Sequence, residues 1–257
     1  MRFTVVGCSG SFPGPDSAAS CYLVEADGYR AVLDLGNGSL GALQRHVDIY
    51  DVDAVLLSHL HPDHCLDMCS YYVARTYRPG GAPPSIPVYG PSGTADRLAS
   101  AYGTAKDPGL TEAFEFRTWL SGMTYDIGPL RVTVHRVDHP GHAFGMRVEH
   151  DGAVLAYSGD SGPCDPLVTL ARDADLFVCE AAFHEGRDDG KVGLHLTGRG
   201  AGEHASRARA RRLLLTHIPP WNDVSRTVEE ARAAYDGPLD VAAAGATCDV
   251  TGRRHAS

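Results

Sequence analysis

LLSHLHPDHCLD, residues Leu56–Asp67, sets His59, His61, Asp63 and His64 within six positions of one another. The segment that leads into it, DAVLLSH (Asp53–His59), is a short aliphatic run of the kind that forms a buried strand. Four potential ligands therefore fall on the turn that ends a strand. Imidazoles and a carboxylate are the donors that zinc takes from proteins. Crowded onto one turn they would desolvate and repel one another unless a cation lay among them. A single histidine at a strand end is ordinarily structural, but four such groups in six residues read as a metal site.

Outward from this motif the chain reads as strands punctuated by turns, then strands alternating with helices. FTVVG (Phe3–Gly7), SCYLVE (Ser20–Glu25) and AVLDLG (Ala31–Gly36) are predicted strands, and LGALQRHV (Leu40–Val47) has helical spacing. The metal motif opens a helix running to about Tyr77, and the PGGAPPS loop follows. Beyond it come the strand IPVYG, a helix near Thr94–Tyr102, and strands at Ala113–Thr118, Leu130–Val137 and Ala153–Tyr157. A helix near Asp165–Arg172 leads to the strand Asp175–Glu180. Then come a helix near Gly198–Arg207, the strand Arg211–His217, a helix near Val224–Tyr235 and short strands to Val250. Strand-rich halves with interspersed helices imply an α/β (α+β) chain in which two sheets lie between layers of helix. No linker or low-complexity stretch interrupts residues 1–257, so one domain is expected.

Composition narrows the function. A net charge of −9 argues against a protein that holds nucleic acid non-specifically on a basic face. It does not exclude small anionic substrates, because bound cations dominate the local field. Seven cysteines are an odd number in a chain too long for a disulfide scaffold, and buried thiols are expected. Cys65 and Cys69, four apart, are a weak zinc signal. The start, MRFTVVGCSGSFPG, is a strand and glycine turn without the features of a signal peptide, and no apolar run is long enough to span a membrane. A cytoplasmic protein is expected. The thirteen histidines are many for this length, and they cluster.

SHLHPDH matches the H-x-H-x-D-H motif of metallo-β-lactamase-fold hydrolases, and the GCSGSFPG turn and LDLG strand end accompany it. The chain resembles that family along nearly its whole length. The resemblance implies a four-layer αββα sandwich and two zinc ions, with manganese as an alternative. By the same resemblance His59 and His61 would hold the first metal, and Asp63 and His64 the second. VDHPGHAFGMRV (Val137–Val148) offers two candidates for the third histidine. The ribonuclease Z pattern, six residues before a strand-starting glycine, selects His139. The G-H-x-x-G pattern of glyoxalases and lactamases selects His142. The first is preferred and the choice stays open. SGDSG (Ser158–Gly162) matches the family's G-D-[ST] turn, making Asp160 the carboxylate shared by both metals, and LLLTHIPP supplies His217 to the second.

CEAAFHE (Cys179–Glu185) and GLHLTGRGAGE (Gly193–Glu203) resemble motifs of the ribonuclease Z-type phosphodiesterase branch. They imply that His195 is the general acid for the leaving oxygen and that Glu180 orients it, with Asp63 serving as both ligand and proton acceptor. His46, His135, His150, His184, His204 and His255 match no motif and are expected to be structural. Within the branch the whole-chain pattern looks most like short, atypical cyclic-nucleotide phosphodiesterases. A small phosphodiester, such as cyclic AMP, is then the expected substrate. A nucleic acid or a membrane is not expected as the main partner, and a homodimer is left open. Ribonuclease Z enzymes that process transfer RNA typically carry a long arm between the third-motif histidine and the shared aspartate. Here only the twenty residues 140–159 intervene. Three other readings stand beside this one: a lactonase, thioesterase or β-lactamase on the same metals, a transfer-RNA 3′-processing nuclease, and a metal-bound module without activity.

Overall fold

The computed structural model describes residues 1–252; His255 lies outside them. Along the chain the strands are β1 (Arg2–Ser9), β2 (Ala18–Ala19), β3 (Cys21–Ala26), β4 (Tyr29–Leu33), β5 (Ala54–Leu56), β6 (Ile86–Gly90) and β7 (Phe114–Thr118). The second half adds β8 (Thr124–Ile127), β9 (Leu130–Arg136), β10 (Phe144–His150), β11 (Ala153–Tyr157), β12 (Leu176–Glu180), β13 (Leu213–Thr216), β14 (Leu239–Val241) and β15 (Thr247–Asp249). They form two sheets, ordered β15-β1-β3-β4-β5-β6-β7, with β2 beside β1, and β14-β13-β12-β11-β10-β9-β8. Each sheet is antiparallel on one side and parallel on the other, and the pairing changes from antiparallel to parallel at β4 and at β11.

The sequence explains why the sheets face each other. In β3 the alternation sends Tyr22 and Val24 between the sheets and Cys21 and Leu23 to the outer face. Leu33 and Leu56 meet Val132, Met146, Leu155 and Val178 across the inner layer. The outer faces are covered too, so these strands read as continuous apolar runs rather than alternating ones. Helices α1 (Ser39–Leu43), α2 (Pro62–Cys65), α3 (Met68–Thr76) and α4 (Thr94–Tyr102) accompany the first sheet, with Leu43, Met68, Tyr71 and Leu98 packed on Val32, Val55 and Val88. Helices α5 (Asp165–Leu170), α6 (Gly198–Ala208) and α7 (Val224–Arg232) cover the second, where Leu167, Ala205 and Ala231 pack on Phe177, Leu213 and Leu215. The result is the αββα sandwich. Each fully buried leucine of these layers contributes about 1.5–3 kcal/mol.

The glycines of α6 set how closely α7 can approach. A Cβ at Gly198 would lie 2.2 Å from the Thr227 carbonyl oxygen, and one at Gly202 would lie 2.5 Å from that of Ala231. Thr197 caps α6 through its side chain, which accepts from Gly200 N at 3.1 Å. The cap fixes where the preceding loop, carrying His195, enters the helix.

Two expectations needed correction. The helix predicted from the metal motif to Tyr77 is two helices, because Leu35 N donates to His64 O at 2.8 Å and Asp67 N to Leu35 O at 3.1 Å. The loop after β4 thus inserts into the helical ladder, and Asp67 turns its carboxylate to Leu40 N at 2.8 Å. The helix at Leu40–Val47 stops at Leu43. The strands β2 and β8 lack an apolar run and exist through pairing with β1 and β9. All seven cysteines are free, and no described helix is long and apolar enough to cross a membrane.

Candidate active site

The histidines and carboxylates singled out above gather where the strands of both sheets end. His59 and His61 leave the C-terminal end of β5; Pro62 starts α2, whose first turn carries Asp63 and His64. His139 follows β9, Asp160 follows β11, and His217 follows β13. A bridge between Asp138 and Gly162, with Gly162 N donating to Asp138 O at 2.7 Å, ties the β9 and β11 ends together. The side chains form two groups that share Asp160: His59, His61, His139 and Asp160, and Asp63, His64, Asp160 and His217. Within each group one donor atom per residue lies within 4.8 Å of all the others. His142 is not among them. It is exposed, with Nδ1 2.9 Å from Ser92 Oγ, on the wall of a cleft of about 320 Å³ that opens beside His59 and His61.

Hydrogen bonds behind the rings fix which nitrogens face inward. His139 Nδ1 donates to the Leu194 carbonyl at 2.7 Å, so its Nε2 carries the lone pair. Ser58 Oγ donates to Asp34 Oδ2 at 2.7 Å, which spends its only proton. His59 Nδ1, 3.1 Å from that oxygen, must therefore donate to it, and the His59 Nε2 lone pair also points inward. His61 Nδ1 lies 3.0 Å from His59 Nε2 and 3.1 Å from His139 Nε2. One proton on His61 can satisfy one of these contacts and never both. At least one lone pair is left without a proton to meet in a largely buried space. In the second group His217 Nε2 lies 3.2 Å from His64 Nε2 and 3.1 Å from Asp63 Oδ2, and Asp160 Oδ1, 3.1 Å from His64 Nε2, makes no well-formed hydrogen bond among the described residues. Converging nitrogens and carboxylate oxygens fit a divalent cation in each group.

The charges are arranged to match. Burial alone would raise the Asp63 and Asp160 carboxyls, but the imidazoles of His217 and His64 hold both well below the usual carboxylate range. Burial and the neighbouring His64 ring push His59 down. Burial also opposes charge on His64, yet the carboxylates of Asp160 and Asp34 keep that ring well above its ordinary value.

Asp34 is the functional residue that sequence reasoning missed. It ends β4 at φ 57°, fully buried. Its oxygens accept from Ser58 N (2.6 Å), Ser58 Oγ (2.7 Å), His64 Nδ1 (2.8 Å) and Tyr157 OH (2.6 Å). It orients the His64 ring, as carboxylates behind metal-binding histidines do. Its one sequence signal was its place in LDLG, at a strand end.

His195 lies beside the two groups. Its Nδ1 is 2.9 Å from Glu180 Oε1 and 3.9 Å from Asp160 Oδ2. Glu180, fully buried at the end of β12, is itself held by Ser161 N at 2.8 Å and Ala182 N at 3.1 Å. Burial lowers the His195 pKa, but the Glu180 carboxylate outweighs it and pushes it up to about 9. Several remaining histidines are bonded within the scaffold. His204 bridges Gly200 O and Cys164 N, His184 meets Thr227 Oγ1, and His150 meets the Pro129 carbonyl.

Residues 30–218 match the family model described as the β-lactamase superfamily domain. The chain belongs to the β-lactamase superfamily. An uncharacterized protein of Mycobacterium leprae is 47% identical, over 97% of this chain and 89% of its own. The metallo-β-lactamase fold protein YhfI of Bacillus subtilis superposes with a TM-score of 0.85 at 28% identity, covering 96% of this chain and 99% of that one. A ribonuclease Z of Myxococcus xanthus is 28% identical over 97% of this chain and 98% of its own.

Proposed function

We propose that this superfamily member is a dinuclear zinc phosphodiesterase, with manganese as an alternative metal, that hydrolyses a small phosphodiester such as cyclic AMP. His59, His61, His139 and Asp160 would hold one cation, and Asp63, His64, Asp160 and His217 the other. Bound there, the pair would supply Lewis-acid polarisation of a phosphoryl oxygen and activation of water. The observation that carries the reading is the His195–Glu180 pair. The 2.9 Å contact fixes the Nδ1 proton on the carboxylate side and leaves Nε2 to protonate a departing oxygen. Glu180 keeps the ring charged near neutral pH, so the proton is present when needed. A thioester, whose thiolate leaves without a proton, has less need of such an acid than a nucleoside alkoxide does. Asp63, held ionised by His217 and His64, is placed to take the proton of the attacking water.

The likeness to ribonuclease Z keeps a second reading in view, and local geometry weighs against it. Residues 140–159 run through a short loop into β10 and β11, joined at Asp151–Gly152, both of positive φ, as a tight hairpin requires. That interval holds no arm to grip a transfer RNA. The test is a side-by-side assay of metal-loaded protein on cyclic AMP, a chromogenic phosphodiester, a lactone, a thioester and 3′-extended precursor transfer RNA. Turnover of the cyclic nucleotide is expected. Efficient cleavage of the precursor with none of the cyclic nucleotide would overturn the proposal.

A further inference from the structure

Beside His217 the protein exposes two large aromatic side chains that nothing in its own packing requires. Trp221 is 63% exposed and Phe12 is 38% exposed, and their rings pack on each other with centroids 4.8 Å apart. They lie on two turns that the backbone joins. His217 N donates to Cys8 O at 3.0 Å, Gly10 N donates to Ile218 O at 3.3 Å, and Ser9 bridges Ile218. The approach is so close that a Cβ at Gly10 would lie 2.1 Å from the His217 carbonyl oxygen. Ser11 N, next to Phe12, lies 3.3 Å from His217 Nε2. On the other flank Asn222, next to Trp221, donates through Nδ2 to Ala182 O at 2.8 Å, two residues beyond Glu180. The aromatic pair is thus held by backbone and side-chain bonds between the turn that carries His217 and the turn that follows Glu180.

Resting on the reading of the site as a phosphodiesterase, we propose that Trp221 and Phe12 form the platform on which the substrate's nucleobase stacks, which makes the substrate class nucleotides rather than phosphodiesters at large. A nucleobase is held a sugar's width from its phosphate, and Phe12, against which Trp221 packs, is one residue from Ser11, whose N lies 3.3 Å from His217 Nε2. Stacking on aromatic side chains is tolerant of base identity, because every base presents a π face. The neighbouring Ser11, Asn222 and Asp223 leave the rim polar, which suits a base better than a lipid surface. The net charge of −9 likewise opposes docking on an anionic membrane.

The experiment compares the metal-loaded wild-type protein with Trp221→Ala, Phe12→Ala and Trp221→Phe on two substrates. One is cyclic AMP, and the other is the base-free 1-O-methyl-ribose 3′,5′-cyclic phosphate. Trp221→Ala should raise KM for cyclic AMP roughly 5- to 150-fold, the loss expected for one base–aromatic stack. It should leave kcat and the base-free substrate nearly unchanged, and Trp221→Phe should restore KM. Equal changes on both substrates would overturn the platform. A binding readout separates this idea from the catalytic reading. Adenosine 5′-monophosphate should quench the tryptophan emission of the wild-type protein but not of Trp221→Phe, in which only the buried Trp119 remains. If no phosphodiester is turned over, the catalytic reading fails while that quench still supports the platform. Turnover of cyclic AMP with no quench would overturn the platform and leave the catalytic reading standing.

Discussion

Asp34→Asn separates charge from shape at the centre of the site. Oδ2 of Asp34 accepts three hydrogen bonds, from Ser58 Oγ, His64 Nδ1 and Tyr157 OH, and Oδ1 accepts one from Ser58 N. An amide has one oxygen, and the better orientation gives it to the three donors. The NH₂ group then faces the Ser58 N–H, and that buried donor loses its partner at a cost of about 1–3 kcal/mol. The other three bonds pass from a charged to a neutral acceptor and weaken by about 1 kcal/mol each. The lower cost of burying an amide than a carboxylate offsets part of this. A net loss of about 2–4 kcal/mol follows, or a fall in Tm of about 4–16 °C for a chain of this size. Asparagine tolerates the positive φ at this position, so backbone strain adds little. With its orienting carboxylate gone, His64 should bind metal about 10–100-fold more weakly. Calorimetry of the metal-stripped variant measures the first effect, and competition with a chromophoric chelator measures the second. Wild-type Tm and wild-type zinc affinity together would refute the reasoning.

His195→Ala should retain two equivalents of metal while losing roughly 10²–10⁴-fold in kcat on cyclic AMP, with far less effect on a chromogenic ester whose leaving group needs no proton. Equal losses on the two substrates would remove His195 from the acid role. His139→Ala should lower bound metal from about two equivalents per chain towards one, whereas His142→Ala should leave the count intact; metal analysis of dialysed protein reads both. Asp188 is buried, which would raise its carboxyl, yet Arg187, Lys191 and the His184 N–H hold it well below the usual range. A depressed carboxylate stabilises the fold above its unfolded pKa of about 4 and loses that contribution as pH falls further. Asp188→Asn should therefore be less stable than wild type at pH 7, with the gap closing below about pH 4 in denaturant titrations.

Much of the site was legible because its first four groups fall within six residues at one strand end, and local crowding of ligands has few other physical meanings. Asp160 and His217 were legible only as strand-end residues inside a matched pattern, since a lone GDSG or strand-terminal histidine has many ordinary roles. His139 and His142 are three positions apart in one loop, and only the tertiary path of that loop separates them. It turns His139 onto Leu194 O and sends His142 out to Ser92. Asp34 was hidden for a related reason. Its partners Ser58, His64 and Tyr157 lie 24, 30 and 123 positions away, and nothing local marks an aspartate that will be fully buried. The broken helix after Pro62 had no local cause either. Its break comes from the backbone of Leu35, a residue of another element.

The two sheets share one plan, and the plan explains why the site sits where it does. In the first, β3 and β4 are antiparallel and β5 then pairs parallel with β4. In the second, β10 and β11 are antiparallel and β12 pairs parallel with β11. A carboxylate follows the switching strand in each case, Asp34 after β4 and Asp160 after β11. His64 lies between these two carboxylates, with Nδ1 2.8 Å from Asp34 Oδ2 and Nε2 3.1 Å from Asp160 Oδ1. One imidazole therefore joins the switch points of both sheets. A cation held by His64 and Asp160 would cross-link segments almost a hundred residues apart in the chain. Binding only to the folded state, it would add about 2.7 kcal/mol of stability at a hundredfold excess over its Kd. The groups that build the site are thus also the groups through which one sheet is fastened to the other.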